Sequence, residues 1–342
     1  MKVFLETAKE ELVEWLLRIN EKPFRLKQIN EWIFQKGETE FNKMTNLPLK
    51  LREKLSAEFL LPSIKIIHSK TSRDGQSIKY LLKLKDGQGI EAVLLKYRFG
   101  NTLCLSTQVG CKMGCKFCAT GLGGFSRNLT AGEMLEQILI LQLQTREKIN
   151  RLVLMGSGEP LDNYEEVLKF IKRVNEKDSF NISYRKITIS TCGIVPGIKR
   201  LAEEGLPVTL AISLHAPEDS LRNELLPINK RWGITELLEA SRYFIEKTGR
   251  RVTFEYALIE GVNDLPEHAL KLTNLLKGKL VHVNLIPYNT IDGQNYKTPN
   301  IAKIEKFKEI LKEARIPVTV RRELGDEIEG ACGQLKAKYF EV

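Results

Sequence analysis

Thr102-Leu103-Cys104-Leu105-Ser106-Thr107-Gln108-Val109-Gly110-Cys111-Lys112-Met113-Gly114-Cys115-Lys116-Phe117-Cys118 is the stretch on which the reading of this chain turns. It couples a short apolar strand, Leu103 to Ser106, to a loop carrying three thiols within eight residues, Cys111, Cys115 and Cys118. A strand that ends in a loop rich in ligand atoms is the building pattern of a parallel α/β sheet, where cofactors bind beyond the carboxyl ends of the strands. The spacing Cys-x3-Cys-x2-Cys lacks the second Cys-x2-Cys or His-x3-His pair that a closed zinc site needs. Three thiolates suit a 4Fe-4S cube, which then keeps one iron without a protein ligand. A structural zinc knuckle and chance clustering are the alternatives that spacing alone leaves standing.

Outward from that strand, the alternation of apolar strand and amphipathic helix repeats down the chain. Strands are predicted at Val153 to Met155, Ile187 to Ser190, Val208 to Leu214, Val252 to Leu258 and Val281 to Pro287, with helices between them. Thr130 with Glu133, and Asn163 with Glu166, have the form of capping boxes, and Gly205 is placed to stop a helix before the fourth strand. Six βα units predict a parallel sheet wound by right-handed crossovers. Upstream, Ile78, Tyr80, Leu82 and Leu84 alternate, Asp86-Gly87 makes a turn, and Ile90, Ala92 and Leu94 alternate again, which predicts a hairpin. Glu91 then lies on the face opposite Ile90 and Ala92, ordinarily a solvent-facing place. Earlier still, Leu12, Trp15, Leu16 and Ile19, then Leu26, Ile29 and Ile33, recur at helical spacing, with Gly37 ending the second helix. A third helix follows Pro48 and carries Leu51, Leu55 and Phe59. The expected organisation is a helical domain over residues 1–62, a β-hairpin linker over 63–100 packed on the α/β unit, and a catalytic domain over 101–342.

The chain has 342 residues, 42% of them hydrophobic, enough for a large core with a small appendage. No apolar run approaches the roughly 20 residues of a membrane span, and Met1 to Asn20 mixes Glu and Lys unlike a signal peptide. A cytoplasmic protein without membrane contact is expected, where six cysteines read as cluster ligands, reactive thiols or buried small hydrophobes rather than disulfide staples. Lys and Arg outnumber Asp and Glu by 53 to 43, a formal charge of +10 that suits a polyanionic partner or plain solubility. The helical module carries Lys22, Arg25, Lys27, Lys36, Lys43, Lys50, Arg52 and Lys54, fit to grip a phosphate backbone or to lie solvated around a small core.

Further segments fall at or beyond the predicted strand ends: Gly156-Ser157-Gly158-Glu159-Pro160, Ser213-Leu214-His215-Ala216, Asn284-Leu285-Ile286-Pro287-Tyr288-Asn289 and Gly330-Ala331-Cys332-Gly333-Gln334-Leu335. A glycine-rich turn is weak evidence by itself, a lone histidine is as readily a hydrogen-bonded structural residue, and Cys104 and Cys332 taken singly read as buried small hydrophobes. Together with Phe117 ahead of Cys118, these segments resemble those of radical S-adenosylmethionine enzymes. More narrowly they resemble the RlmN type of adenosine carbon-2 RNA methyltransferase, kin of the Cfr type that methylates carbon-8. The resemblance runs from the Phe24 region to Leu335, and departs from the commoner wording at Ser157 and Cys192, both conservative in size.

The resemblance implies an α/β fold built as a partial (β/α)6 radical S-adenosylmethionine barrel, with the helical module as an RNA-binding accessory domain. It implies a 4Fe-4S cluster on Cys111, Cys115 and Cys118 and two molecules of S-adenosylmethionine per turnover. Gly158 and Glu159 would hold the methionine amine, Ser190, Ser213, Leu214 and His215 the ribose and carboxylate regions, and Asn289 the adenosine. Carbon-2 of adenine is electron-poor and does not attack a sulfonium methyl group, so the implied route is a radical one. Cys332 takes a methyl group from one S-adenosylmethionine, and a 5′-deoxyadenosyl radical from the second abstracts hydrogen from that methyl. The carbon radical adds to carbon-2, Glu91 removes the proton there, and Cys104 attacks the Cys332 sulfur, releasing the product and leaving a disulfide. Gly325, Gly330 and Gly333 predict a mobile loop around Cys332. Implied partners are 23S rRNA, tRNA and an electron donor such as flavodoxin or ferredoxin, serving a monomer, with the target adenosine extruded from its stack. A carbon-8 enzyme would share these residues, whereas a nonenzymatic iron-sulfur RNA-binding protein would have no use for Cys332.

Overall fold

Apolar side chains at helical spacing close three short helices around Met44 and Leu55 at the amino end: α1 (Lys9–Arg18), α2 (Phe24–Asn30), which continues as a π-helix over Glu31–Gln35, and α3 (Leu49–Glu58). The structure is a computed structural model that describes residues 1–291, 293–321 and 326–335, so Gly325 and the chain end at 336–342 lie outside the described residues. Gly37 closes the second helical run at φ +67°. Phe59, expected on the third helix, instead opens a two-residue strand beside Lys2–Val3. There its ring packs edge-on against Phe4 and Trp15 at 5.5 and 5.1 Å, a burial that one more exposed helical turn would forfeit.

Ten strands follow, and the sheet keeps their chain order without exception. They are β1 (Lys65–Thr71), β2 (Ser77–Lys83), β3 (Gly89–Tyr97), β4 (Gly100–Cys104), β5 (Ile149–Leu154), β6 (Ile187–Thr191), β7 (Thr209–Ser213), β8 (Val252–Leu258), β9 (Val281–Pro287) and β10 (Val318–Val320). β1 to β4 pair antiparallel and β4 to β10 parallel. The crossovers run through α4 (Ala131–Thr145), α5 (Tyr164–Asn175), α6 (Val195–Glu203), α7 (Asp219–Leu225), α8 (Ile234–Thr248), α9 (Pro266–Leu276) and α10 (Ile301–Glu313). Because each right-handed crossover steps one place in the same direction, the helices cover one face and the sheet curls into an open barrel with no reversal of strand order.

The six expected parallel strands are present, joined by a seventh, β10, too short at three residues to show a pattern. The hairpin also forms, as β2 and β3, yet it is more than a linker packed on the barrel: β3 pairs with β4, Val93 opposite Cys104, and so extends the barrel sheet. Polar β1, with Lys65 and Lys70 exposed, caps that edge. The same extension overturns the solvent-facing expectation for Glu91, which is 1% exposed. Ile90, Ala92 and Leu94 pack into the main core, while Val93 and Leu95 join Cys104 and Leu335 in a smaller core on the opposite face. Alternation marks two faces of a strand without saying that both are covered.

The Thr130–Glu133 capping box forms as expected. Asn163 does not cap α5; its amide donates to Thr107 O and Leu129 O, both at 2.8 Å, and Glu166 accepts the Ala131 N–H instead. That tie matters, because Thr107 to Leu129 bracket the three-cysteine loop. Among the described residues, no helix is long and apolar enough to cross a membrane.

Candidate active site

The carboxyl ends of β5 to β9 and the three-cysteine loop surround one cleft of about 930 Å³, and a second cavity of about 550 Å³ adjoins it. Cys111, Cys115 and Cys118 all line the larger cleft. Their loop is pinned at several points: Cys111 N–H donates to Gly124 O (2.7 Å), Lys116 N–H to Leu225 O (3.1 Å) and Cys118 N–H to Cys115 O (3.2 Å). Burial pushes the Cys111 thiol up to about 12 and raises Cys115 and Cys118 as well, with Cys118 adding to the rise of Cys111, and both of these to that of Cys115. Three half-buried thiols facing one cleft fit a group that brings positive charge. Among the described residues, no three Cys, His, Asp or Glu side chains gather closely enough to hold a single metal ion. Three thiols lining one cleft can each meet a different iron of a 4Fe-4S cube, whereas a closed zinc site needs a fourth ligand.

Beside the thiols, the turn after β5 is built for close approach. Gly158 has φ +107°, and a Cβ there would lie 2.6 Å from Gln108 Cβ; one on Gly156 would lie 2.5 Å from Leu105 O. Gln108 Oε1 accepts the Glu159 N–H at 2.9 Å and so fixes the turn. Glu159 is buried, its carboxylate accepting the backbone N–H of Cys192 (2.8 Å) and Leu161 (3.0 Å), and burial raises its pKa. No Lys, Arg or His of the described residues pairs with it. A backbone-anchored carboxylate lining a cleft suits an ammonium group.

Ser190, Ser213 and His215 line the opposite wall, at the ends of β6 and β7. His215 sits at φ +56° and its Nδ1 accepts the Ala257 N–H at 2.8 Å, so Nε2 carries the hydrogen. Burial, and then the Arg222 charge, lower its pKa to about 3, which keeps the ring neutral. Phe117 meets that ring edge-on at 4.6 Å. Leu214 differs from its neighbours: its side chain is in the main core, and only its carbonyl, bound by Arg222, belongs to the site's framework.

Cys332 and Cys104 line the second cavity together, with Asn289, Met155, Tyr97 and Arg321. Cys332 also lines the larger cleft, so it stands where the two spaces meet. Asn289 donates to Cys332 O at 3.2 Å, and Gly333 O accepts the Ala119 N–H at 2.7 Å, stitching the carboxyl-terminal segment to the cysteine loop. Burial first, and the Cys332 sulfur second, hold Cys104 up at about 12. Glu91 lies outside both cavity linings and ion-pairs with Lys79 at 2.8 Å, while Lys79 Nζ also donates to Glu329 O, near Cys332 in the chain.

Sequence reading missed the residues that hold these parts in place. Arg222, on α7 and fully buried, donates to Cys192 O (2.7 Å), Ser213 O (3.0 Å), Leu214 O (3.1 Å) and Asn229 Oδ1 (2.6 Å), joining the ends of β6 and β7. Cys192 contributes backbone, giving its N–H to Glu159 and its carbonyl to Arg222. In sequence, Arg222 looks like any cation on a short helix, and no local signal marks it.

The family model for the Radical SAM superfamily matches residues 105–273, and that for the Ribosomal RNA large subunit methyltransferase N-terminal domain matches residues 4–61. The chain is 77% identical over 342 residues, 100% of both chains, to the probable dual-specificity RNA methyltransferase RlmN of Carboxydothermus hydrogenoformans. It is 51% identical over 333 residues to the corresponding protein of Caldicellulosiruptor saccharolyticus, covering 97% of this chain and 96% of that relative. A solved radical SAM methyltransferase from Sphaerobacter thermophilus is 42% identical with a TM-score of 0.95, covering 99% of this chain and 100% of its own.

Proposed function

Because the chain belongs to the RlmN family of radical S-adenosylmethionine RNA methyltransferases, we propose that it methylates carbon-2 of an adenosine in 23S rRNA and in tRNA, with Cys332 carrying the methyl group. The observation that supports this reading best is the placement of Cys332 and Cys104 in one cavity that opens on the cofactor cleft. Two thiols so placed suit a carrier and a resolving nucleophile.

Cys111, Cys115 and Cys118 would hold a 4Fe-4S cluster, which when bound would supply the electron for reductive cleavage of S-adenosylmethionine. Around it, the Glu159 carboxylate receives the methionine ammonium, Gly158 lets the ligand reach the backbone, and His215 offers its Nε2–H to an acceptor in the cleft. Ser190, Ser213 and Asn289 orient the rest. Cys332 Sγ would attack the methyl carbon of a first S-adenosylmethionine and take the methyl group, the thioether departing with the electron pair; the methylated Cys332 would then give up a hydrogen atom when a second molecule is cleaved, and present the carbon to adenine. Burial raises Cys104 and so favours its neutral thiol, which sets it apart from the methyl carrier. Glu91 takes the carbon-2 proton; Lys79 ties this base to the Cys332 segment. Cys104 then attacks Cys332 Sγ, and reduction of the disulfide resets the pair.

We assign the helical domain, residues 1–62, to RNA docking. Arg25, Lys36 and Lys43 are partnered by neighbouring carboxylates, whereas Lys22, Lys27, Lys50 and Lys54 are exposed and carry no ion pair among the described residues. A monomer in the cytoplasm, reduced by a flavodoxin or ferredoxin, completes the reading. Its test is nucleoside mass spectrometry of protein-free 23S rRNA and tRNA after incubation with reconstituted enzyme, S-adenosylmethionine and a strong reductant. 2-Methyladenosine is expected, and Cys332→Ala should abolish it. 8-Methyladenosine would reassign the regiochemistry, and full activity of Cys332→Ala would overturn the carrier role.

A further inference from the structure

Arg321 follows the last short strand, and its backbone N–H donates to Leu285 O at 2.8 Å, so the β9–β10 pairing continues one residue beyond Val320. That register turns the side chain into the barrel, where it lines both the cofactor cleft and the cavity of the two thiols. Its Nη1 donates to Cys332 Sγ at 2.9 Å and lies 3.9 Å from Met155 Sδ. The charged form of Arg321 is favoured by Cys332 first, then by Glu255, Tyr97 and Cys104. Glu255, the only carboxylate in that set, is engaged by the Asn284 amide at 2.8 Å, and Asn284 in turn accepts from Thr319 Oγ1 at 3.2 Å. Glu255 favours the guanidinium charge from the strand side, and Cys332 is gripped twice, at its carbonyl by Asn289 and at its sulfur by Arg321.

We propose that Arg321 is the positioning residue that prepares Cys332 for methyl transfer, holding Sγ turned towards the cleft and stabilising the negative charge it carries as it attacks. This rests on the reading of Cys332 as the methyl carrier. In the step it serves, an Sγ lone pair forms the new S–CH3 bond while the sulfonium S–CH3 bond breaks, its electron pair remaining on the departing thioether sulfur. Negative thiolate and positive sulfonium become two neutral thioethers, so Arg321 loses its anionic partner on transfer and holds the unmethylated sulfur more firmly than the methylated one. A neutral donor would direct the sulfur without stabilising its charge, whereas lysine would keep the charge and lose the fork.

The test needs neither reductant nor RNA. Holoenzyme with intact cluster is labelled anaerobically with iodoacetamide, and Cys332 and Cys104 are followed separately by peptide mass spectrometry in the native protein, Arg321→Gln and Arg321→Lys. Cys332 labelling should slow by about tenfold or more in Arg321→Gln and stay within about threefold of native in Arg321→Lys. Methyl-Cys332 formed from S-adenosylmethionine should follow the same order. Equal labelling of Cys332 in native and Arg321→Gln protein would overturn the proposal. If Arg321→Gln does not fold, Glu255→Gln decides: removing the competing carboxylate should speed Cys332 labelling, and an unchanged or slower rate would overturn it. Activity of Cys332→Ala on RNA bears on the carrier role alone, so the two ideas fail separately.

Discussion

Replacing Arg222 with methionine keeps much of the side chain's apolar length and removes its guanidinium. Three carbonyls, of Cys192, Ser213 and Leu214, lose a donor, and Asn229 Oδ1 loses a fourth. A buried acceptor left without its partner costs about 1–3 kcal/mol; Leu214 O keeps the Ala216 N–H, whereas the Asn229 amide is held by Asp219 and Asn223, so Cys192 O, Ser213 O and Asn229 Oδ1 set a gross loss of about 6 kcal/mol. Against this stands the cost of burying the charge, which shows in the fall of the Arg222 pKa from 12.5 to about 10 and is worth about 3 kcal/mol. The net expectation is a loss of about 3 kcal/mol. It is read as a shift in the urea midpoint of the cluster-free protein at unchanged slope. The damage should also reach the cofactor, because the Lys116 N–H of the cysteine loop is anchored to Leu225 O on the helix that carries Arg222. Reconstituted Arg222→Met should therefore retain less iron per chain after gel filtration. Stability within about 0.5 kcal/mol of native, together with full iron content, would refute both steps of this reasoning.

Gly158→Ala forces a left-handed φ on an L side chain and drives its Cβ to 2.6 Å from Gln108; a stability loss of about 2–4 kcal/mol is expected, with S-adenosylmethionine affinity in equilibrium dialysis down by at least about tenfold, and native affinity would contradict the close-approach reading. Glu136 accepts from Ser63 N, Ser63 Oγ and Ile64 N on one oxygen, yet burial raises its pKa from 4.5 to about 7. A carboxyl raised on folding contributes most below its unfolded pKa, and that contribution is lost as pH rises through 7, so Glu136→Gln should gain about 2 kcal/mol relative to native between about pH 5 and pH 8 in urea unfolding. A difference independent of pH would contradict the shift.

Which parts were legible in the sequence follows from how far each depends on its neighbours along the chain. The three cysteines declare themselves because a ligand loop is local, and Gly158 with Glu159 because a strand-end turn is local. Parallel strands β8 and β9 are bounded as predicted, because Val252, Phe254, Tyr256 and Leu258, and Val281, Val283 and Leu285, put apolar residues at alternate places. Glu91 failed that logic for an instructive reason. Its strand is covered twice, by helices on one face and by Cys104 and Leu335 on the other, and the second cover comes from a segment more than two hundred residues away. Arg222 and Arg321 were illegible on the same ground: each is an ordinary cation in its local window, and its acceptors are brought to it by strand register and crossover order. The residues that do chemistry here are announced by local spacing, whereas those that aim them are made by topology. A variant that leaves every motif intact and alters only Arg222 or Arg321 therefore separates having the parts from having them placed.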